Sequence, residues 1–116
     1  MRENESMQQR SAGVVVIGDA LIDEIHDHAG MRELVGGAAL NVAVGIRRLG
    51  VPATLIAMVG DDESGDHIRE YLRDHGVELI SSASSRGSSR AIVRRAANGE
   101  PEYVFNDAAQ HRGIRY

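Results

Sequence analysis

The chain has 116 residues, enough for one small domain, and a domain of this size buries only roughly two-thirds of the surface of its unfolded chain. Its 13 Lys and Arg against 17 Asp and Glu leave a formal net charge of −4 with no cation-rich run, which argues against nucleic acid as a partner because phosphate binding needs clustered positive charge. Cysteine is absent, which excludes disulfides and thiolate metal sites and makes a reducing, cytoplasmic setting the expectation.

Residues 1–12, MRENESMQQRSA, are polar and lack the apolar core of a signal peptide, so they are expected to form a flexible tail with Met7 as an alternative start. The rest, 13–116, is expected to form one folded part. No later stretch is long and apolar enough to cross a bilayer, and no membrane partner is expected.

Val14-Val15-Val16-Ile17, ended by Gly18-Asp19, predicts a strand buried on both faces of a parallel sheet. Leu21 to Val35 mixes polar and apolar positions around Gly30 and reads as an inserted β-excursion. Next, Ala39, Val42, Ala43, Ile46 and Leu49 recur at helical spacing, and Gly50 supplies the stop. Thr54 to Val59 is a second β-branched run, ended by Gly60-Asp61-Asp62.

Asp62 or Ser64 can cap a following helix whose apolar face is Ile68, Tyr71 and Leu72, closed by Gly76 before a short strand over Val77 to Ile80. Ser81 to Ser89 is loop-like. Ala91 to Ala97, Asn98-Gly99 and Glu102 to Asn106 form the pattern of an antiparallel hairpin, with Tyr103 and Phe105 on one face. The fold class expected is α/β: a parallel β-α-β core with an inserted antiparallel β element.

Ligands of parallel α/β sheets bind beyond the carboxyl ends of the strands. Three clusters map there: Asp19 with Asp23, Gly36-Gly37 with Asn41, and Gly60-Asp61-Asp62. Two glycines let a ligand approach bare backbone, Asn41 offers a donor and an acceptor one turn later, and Asp23 offers acceptors only. That set suits a neutral polyol better than a phosphate. On spacing alone the same residues also describe a turn, a tolerated helix residue and surface charges. Gly60-Asp61-Asp62 reads as turn and N-cap chemistry. His26 and His28 could share a sheet face, but spacing places no third metal ligand, and Gly18 to Asp23 lacks the later glycines of a dinucleotide fingerprint.

Val35-Gly36-Gly37-Ala38-Ala39-Leu40-Asn41-Val42-Ala43-Val44-Gly45-Ile46-Arg47-Arg48-Leu49-Gly50, followed by Val51 to Gly60, resembles the first signature of the PfkB (ribokinase-like) carbohydrate kinases. Gly18 to Asp23 looks like that family's first strand and sugar-contacting aspartate. The resemblance implies that Asp23, Gly36, Gly37 and Asn41 bind a sugar, with Asp19 shaping the strand end, and that segments about 24–36 and 90–107 form a lid. Gly-Gly-Ala-Ala-Leu-Asn is more similar to fructokinase-like members than to ribokinases, which implies a ketose.

The family's second signature, Gly-Ala-Gly-Asp, with its anion hole and base, does not occur in this chain. The resemblance therefore implies an ATP- and Mg2+-dependent sugar kinase of which this chain, read as truncated, holds no catalytic, ATP-binding or metal-binding residue and is inactive alone. The alternative expectation is a non-catalytic sugar-binding module, or one that forms a homodimer through the lid. A third is that half of such a sheet does not fold stably.

Overall fold

The computed structural model describes residues 13–95 and 98–110. The expected tail over 1–12, the hairpin positions 96–97 and the last six residues lie outside them. The elements run β1 (Val14–Gly18), β2 (Leu21–Asp27), β3 (Gly30–Gly36), α1 (Ala38–Arg48), β4 (Ala53–Met58), α2 (Glu63–Asp74), β5 (Glu78–Ser82), β6 (Ser89–Arg95), β7 (Pro101–Phe105) and α3 (Asp107–Gln110). The α/β class read from the sequence is the class observed.

Two sheets result. β1, β4 and β5 form a parallel sheet in the order β1-β4-β5, with Val16 opposite Leu55 and Leu55 opposite Leu79. The second sheet has the order β3-β2-β6-β7, antiparallel except for the β2–β6 pair. Its strands come from the two segments that the family resemblance assigns to a lid, extended back to Leu21 and Ser89.

The core lies between the parallel sheet and its two long helices. Leu40, Ala43 and Val44 of α1 and Ile68 and Leu72 of α2 bury against Leu55, Ala57 and Val59, with Ile22 contributed by β2. Ile68, Tyr71 and Leu72 thus point inward as their spacing predicted. Gly76 closes α2 with φ 71, a left-handed stop that a side chain would resist.

Three expectations are corrected. β1 is not buried on both faces: Val15 and Ile17 are exposed, because the core packs against the face that carries Val16, and among the described residues β1 pairs only with β4. The apolar stripe of α1 is rotated from Ala39, Val42, Ala43, Ile46 and Leu49 to one centred on Leu40, Ala43 and Val44. Val42 is 52% exposed and Leu49 84%. Small residues on both sides of the stripe left its phase poorly defined by periodicity alone. His28 also leaves the sheet, since β2 ends at Asp27, so it shares no strand face with His26.

Candidate functional site

The polypeptide passes between the two sheets at Asp19-Ala20 and again at Gly36-Gly37. These crossings touch. A Cβ at Gly37 would lie 2.6 Å from the Asp19 carbonyl oxygen, and Gly37 has φ 108, so glycine is required there on both counts. The Asp19 carbonyl accepts the Leu40 N–H at 3.0 Å, and the Gly37 carbonyl accepts the Asn41 N–H at 2.9 Å. Gly37 caps α1 without a side chain, so the first turn is capped by the Asp19 carbonyl and no side chain covers the positive end of that helix.

Asp23 stands two residues into β2 from Leu21, on the face that looks toward Gly36. A Cβ at Gly36 would come within 2.8 Å of Asp23 Oδ2. Residues paired across neighbouring strands project to one face, so the register places Leu34, Asp23, Ala91 and Phe105 in one row across the sheet. The next row is Arg32, Ile25, Val93 and Tyr103. Asp23 is therefore a carboxylate set among apolar neighbours. It makes no hydrogen bond or ion pair among the described residues, and desolvation pushes its pKa above the ordinary value.

The other face of this sheet is ionic. Arg90 Nη2 donates to Glu24 at 2.9 Å and lies 3.4 Å from Glu33, while the His26 ring bonds Glu24 at 2.8 Å. The His26 hydrogen bond and the Arg90 guanidinium hold the Glu24 carboxyl below its ordinary range. Arg90 also donates to Ser64 of α2.

Of the residues singled out in the sequence, Asp23 and Gly36 meet directly, and Asp19 and Gly37 meet directly. Asn41 lies in the first turn of α1, exposed, with its amide free of hydrogen bonds among the described residues. Gly60 and Asp62 are the turn and cap expected: Asp62 accepts the Gly65 N–H at 2.8 Å. Sequence reading missed Glu24, Ser88, Arg90 and Asn106. Charged and hydroxyl residues in a strand or a Ser-rich loop carry no periodic signal that would have marked them.

The pfkB family carbohydrate kinase model matches residues 11–113. The chain belongs to this family. It is 36% identical over 110 residues to fructokinase-1 of Oryza sativa subsp. japonica, covering 85% of this chain and 34% of that protein. It is 32% identical over 94 residues to the 5-dehydro-2-deoxygluconokinase of Photobacterium profundum, covering 74% of this chain and 28% of that one. Among solved structures, the fructokinase from Xylella fastidiosa superposes with a TM-score of 0.74 at 28% identity, over 83% of this chain and 32% of that chain. A second structure of the Xylella fastidiosa fructokinase, with bound ATP, gives 0.73. This pfkB-family chain thus spans about a third of the length of the relatives it matches. No described helix is long and apolar enough to cross a membrane.

Proposed function

We propose that this chain is the sugar-recognition part of a pfkB-family carbohydrate kinase, with Asp23, Gly36, Gly37 and Asn41 forming the sugar site and the four-stranded sheet acting as its lid. The observation that carries the reading is the Asp23 carboxylate: partly buried, without a partner among the described residues, and facing a glycine that leaves it room. A buried acceptor with no donor is costly, and a sugar hydroxyl supplies the missing donor. Leu34 and Phe105 in the same row offer apolar surface to the C–H face of a sugar ring, while the Asn41 amide can both donate and accept. Asp19 shapes the crossing through its carbonyl.

In the whole protein the proposed activity is transfer of the γ-phosphoryl of ATP, with Mg2+, to a sugar hydroxyl, in a reducing compartment such as the cytoplasm. The groove beside the Gly37 crossing does not suit the nucleotide. The groove of about 330 Å3 at the end of β1, lined by Ile17, Gly18, Asp19, Ala38, Ala39 and Val42, has Asp19 as its one charged lining residue, and a negative charge repels a triphosphate. No step of phosphoryl transfer is assigned to this chain, and by itself it binds without turnover.

Calorimetric titration of the full chain with D-fructose tests the reading. The parent is expected to bind and Asp23→Asn, which exchanges half of the acceptor for a donor, to bind at least roughly tenfold more weakly. Equal binding by both, or none by a cooperatively folded parent, would sink it.

A homodimer through the lid is a second reading. β3 and β7 are the edges of the lid sheet, and Leu34, Tyr103 and Phe105 are exposed on one face of it, a combination that invites a second copy. Sedimentation equilibrium of the parent and Tyr103→Glu distinguishes dimer from monomer; only monomer at high concentration rejects it.

A further inference from the structure

Beyond the crossings at 19–20 and 36–37, the lid meets the core at a third place, where β6 begins. Here Asp62 does more than cap α2. Its Oδ2 accepts the Ser88 N–H at 2.8 Å, its Oδ1 accepts the Ser88 hydroxyl at 2.7 Å, and the same Oδ1 takes the Gly65 N–H. Ser88 Oγ in turn accepts the Gly60 N–H at 3.0 Å, and Arg69 Nη1 donates to the Gly60 carbonyl at 3.1 Å. Ser88 is 2% exposed, so these bonds are shielded from competing water.

The backbone is built for this closeness. A Cβ at Gly60 would lie 2.5 Å from the Gly87 carbonyl carbon and the Ser88 nitrogen. Gly87 has φ 80, and a Cβ on it would meet Asp62 Oδ2 at 2.7 Å. The far end of the lid is stapled to the same point. Asn106 Nδ2 donates to the Ser88 carbonyl at 3.0 Å, and Asn106 Oδ1 accepts the N–H groups of Arg90 at 2.9 Å and Ala109 at 3.0 Å. Ser88 thus joins the β4–α2 turn of the core to both the entry of β6 and the exit of β7.

We propose that Asp62 and Ser88 form a hinge clasp that sets the pose of the lid over the Gly36-Gly37 crossing, which makes both of them positioning residues for the sugar site. The proposal rests on the sugar-site reading for its functional consequence, not for its structural one. A carboxylate is needed because only an acceptor-only group with two oxygens takes three donors at once. With the clasp open, β6 and β7 would keep their pairing to β2 and the Arg90–Ser64 contact, and the Asp23 row of the lid would lose its fixed relation to Asn41 at the start of α1.

The absence of cysteine allows a direct measurement. Spin labels at Leu49→Cys, the C-cap of α1, and Tyr103→Cys on the lid, both exposed positions, report the core-to-lid distance in the full chain. The labelled parent is expected to give one narrow distance distribution. Ser88→Ala, which leaves the α2 cap in place, and Asp62→Ser, which keeps a good N-cap oxygen too short to reach Ser88, are expected to broaden it. Circular dichroism should show the helices retained. The double variant should broaden no further than the stronger single one, since both remove the same link.

D-fructose titration should then show binding weakened roughly tenfold in each clasp variant, with stoichiometry unchanged. A narrow, parent-like distribution in a folded Ser88→Ala or Asp62→Ser chain overturns the clasp. Should Asp62→Ser unfold the chain, Ser88→Ala alone decides. A parent that binds no fructose while the clasp variants still broaden would defeat the sugar reading and leave the clasp standing; broadening with fructose affinity unchanged would overturn the positioning role.

Discussion

The Asp23 carboxylate and the α-carbon of Gly36 are so placed that a single methyl group on Gly36 would reach within 2.8 Å of Oδ2. That contact couples the end of β3 to the second turn-facing residue of β2. It gives a glycine in an ordinary strand conformation a reason to be a glycine.

Gly36→Ala should therefore act on the site more than on the fold. Gly36 has no left-handed φ, so the cost is crowding of one side chain, about 1–3 kcal/mol of stability. Fructose affinity should fall by at least roughly tenfold as the Asp23 carboxylate is pushed aside. Thermal melts and calorimetry on the same samples check both parts. Undiminished affinity would mean that the Asp23–Gly36 gap is not the binding space.

Asn41→Ala should separate the two properties more cleanly. The side chain is exposed and bonds to nothing among the described residues, and alanine is a better helix former than asparagine by about 0.5 kcal/mol. Stability is expected to hold or rise slightly while fructose binding weakens. A loss of stability would show that the amide has a structural partner in solution.

The phase of α1 is open to test by paired truncations. Leu40 is fully buried and Val42 is not, so Leu40→Ala should cost about 2–5 kcal/mol and Val42→Ala less than about 0.5 kcal/mol. Urea melts of the two variants decide it. Equal costs would favour the stripe inferred from periodicity.

Acid should affect Asp23 and Asp62 with opposite sign. Burial raises the Asp23 pKa above 3.8, so the native chain holds that proton more tightly than the unfolded one, and the charge penalises stability above the folded pKa but not below 3.8. Asp23→Asn should stabilise the chain near neutral pH, an advantage that fades as pH falls through that window. At Asp62, burial raises the pKa but the Ser88 and Gly65 donors and Arg69 outweigh it, leaving it below 3.8. Its contribution is complete above 3.8 and is lost as pH falls through the folded value. Asp62→Asn should destabilise near neutrality and converge with the parent in acid. Urea melts across the acid range check both, and parallel pH profiles for parent and variant would refute the assignment for that residue.

Much of the element order was legible in the residues themselves, and each success has a local cause. β-branched runs ended by Gly-Asp marked β1 and β4. Ile68, Tyr71 and Leu72 repeat at helical spacing because one side of α2 alone is buried, and Asp62 sits where a cap must sit. The pairing of Asp23 with Gly36 was suggested by order and type and could not be measured, since a strand-to-strand gap depends on register.

What the linear chain determined by itself was therefore whatever short-range sterics and hydrogen bonding enforce: the strands, the helix ends, the glycine turns and the family signature around Gly36-Gly37 and Asn41. Tertiary structure alone decided which face of α1 is covered, that β1 is open on one side, that Asp23 lies in an apolar row, and that Ser88 and Asn106 tie the two sheets together. These depend on contacts between residues far apart in the chain, such as Asp62 with Ser88 and Glu24 with Arg90. Such partners are matched by three-dimensional packing and leave no periodic mark on the sequence.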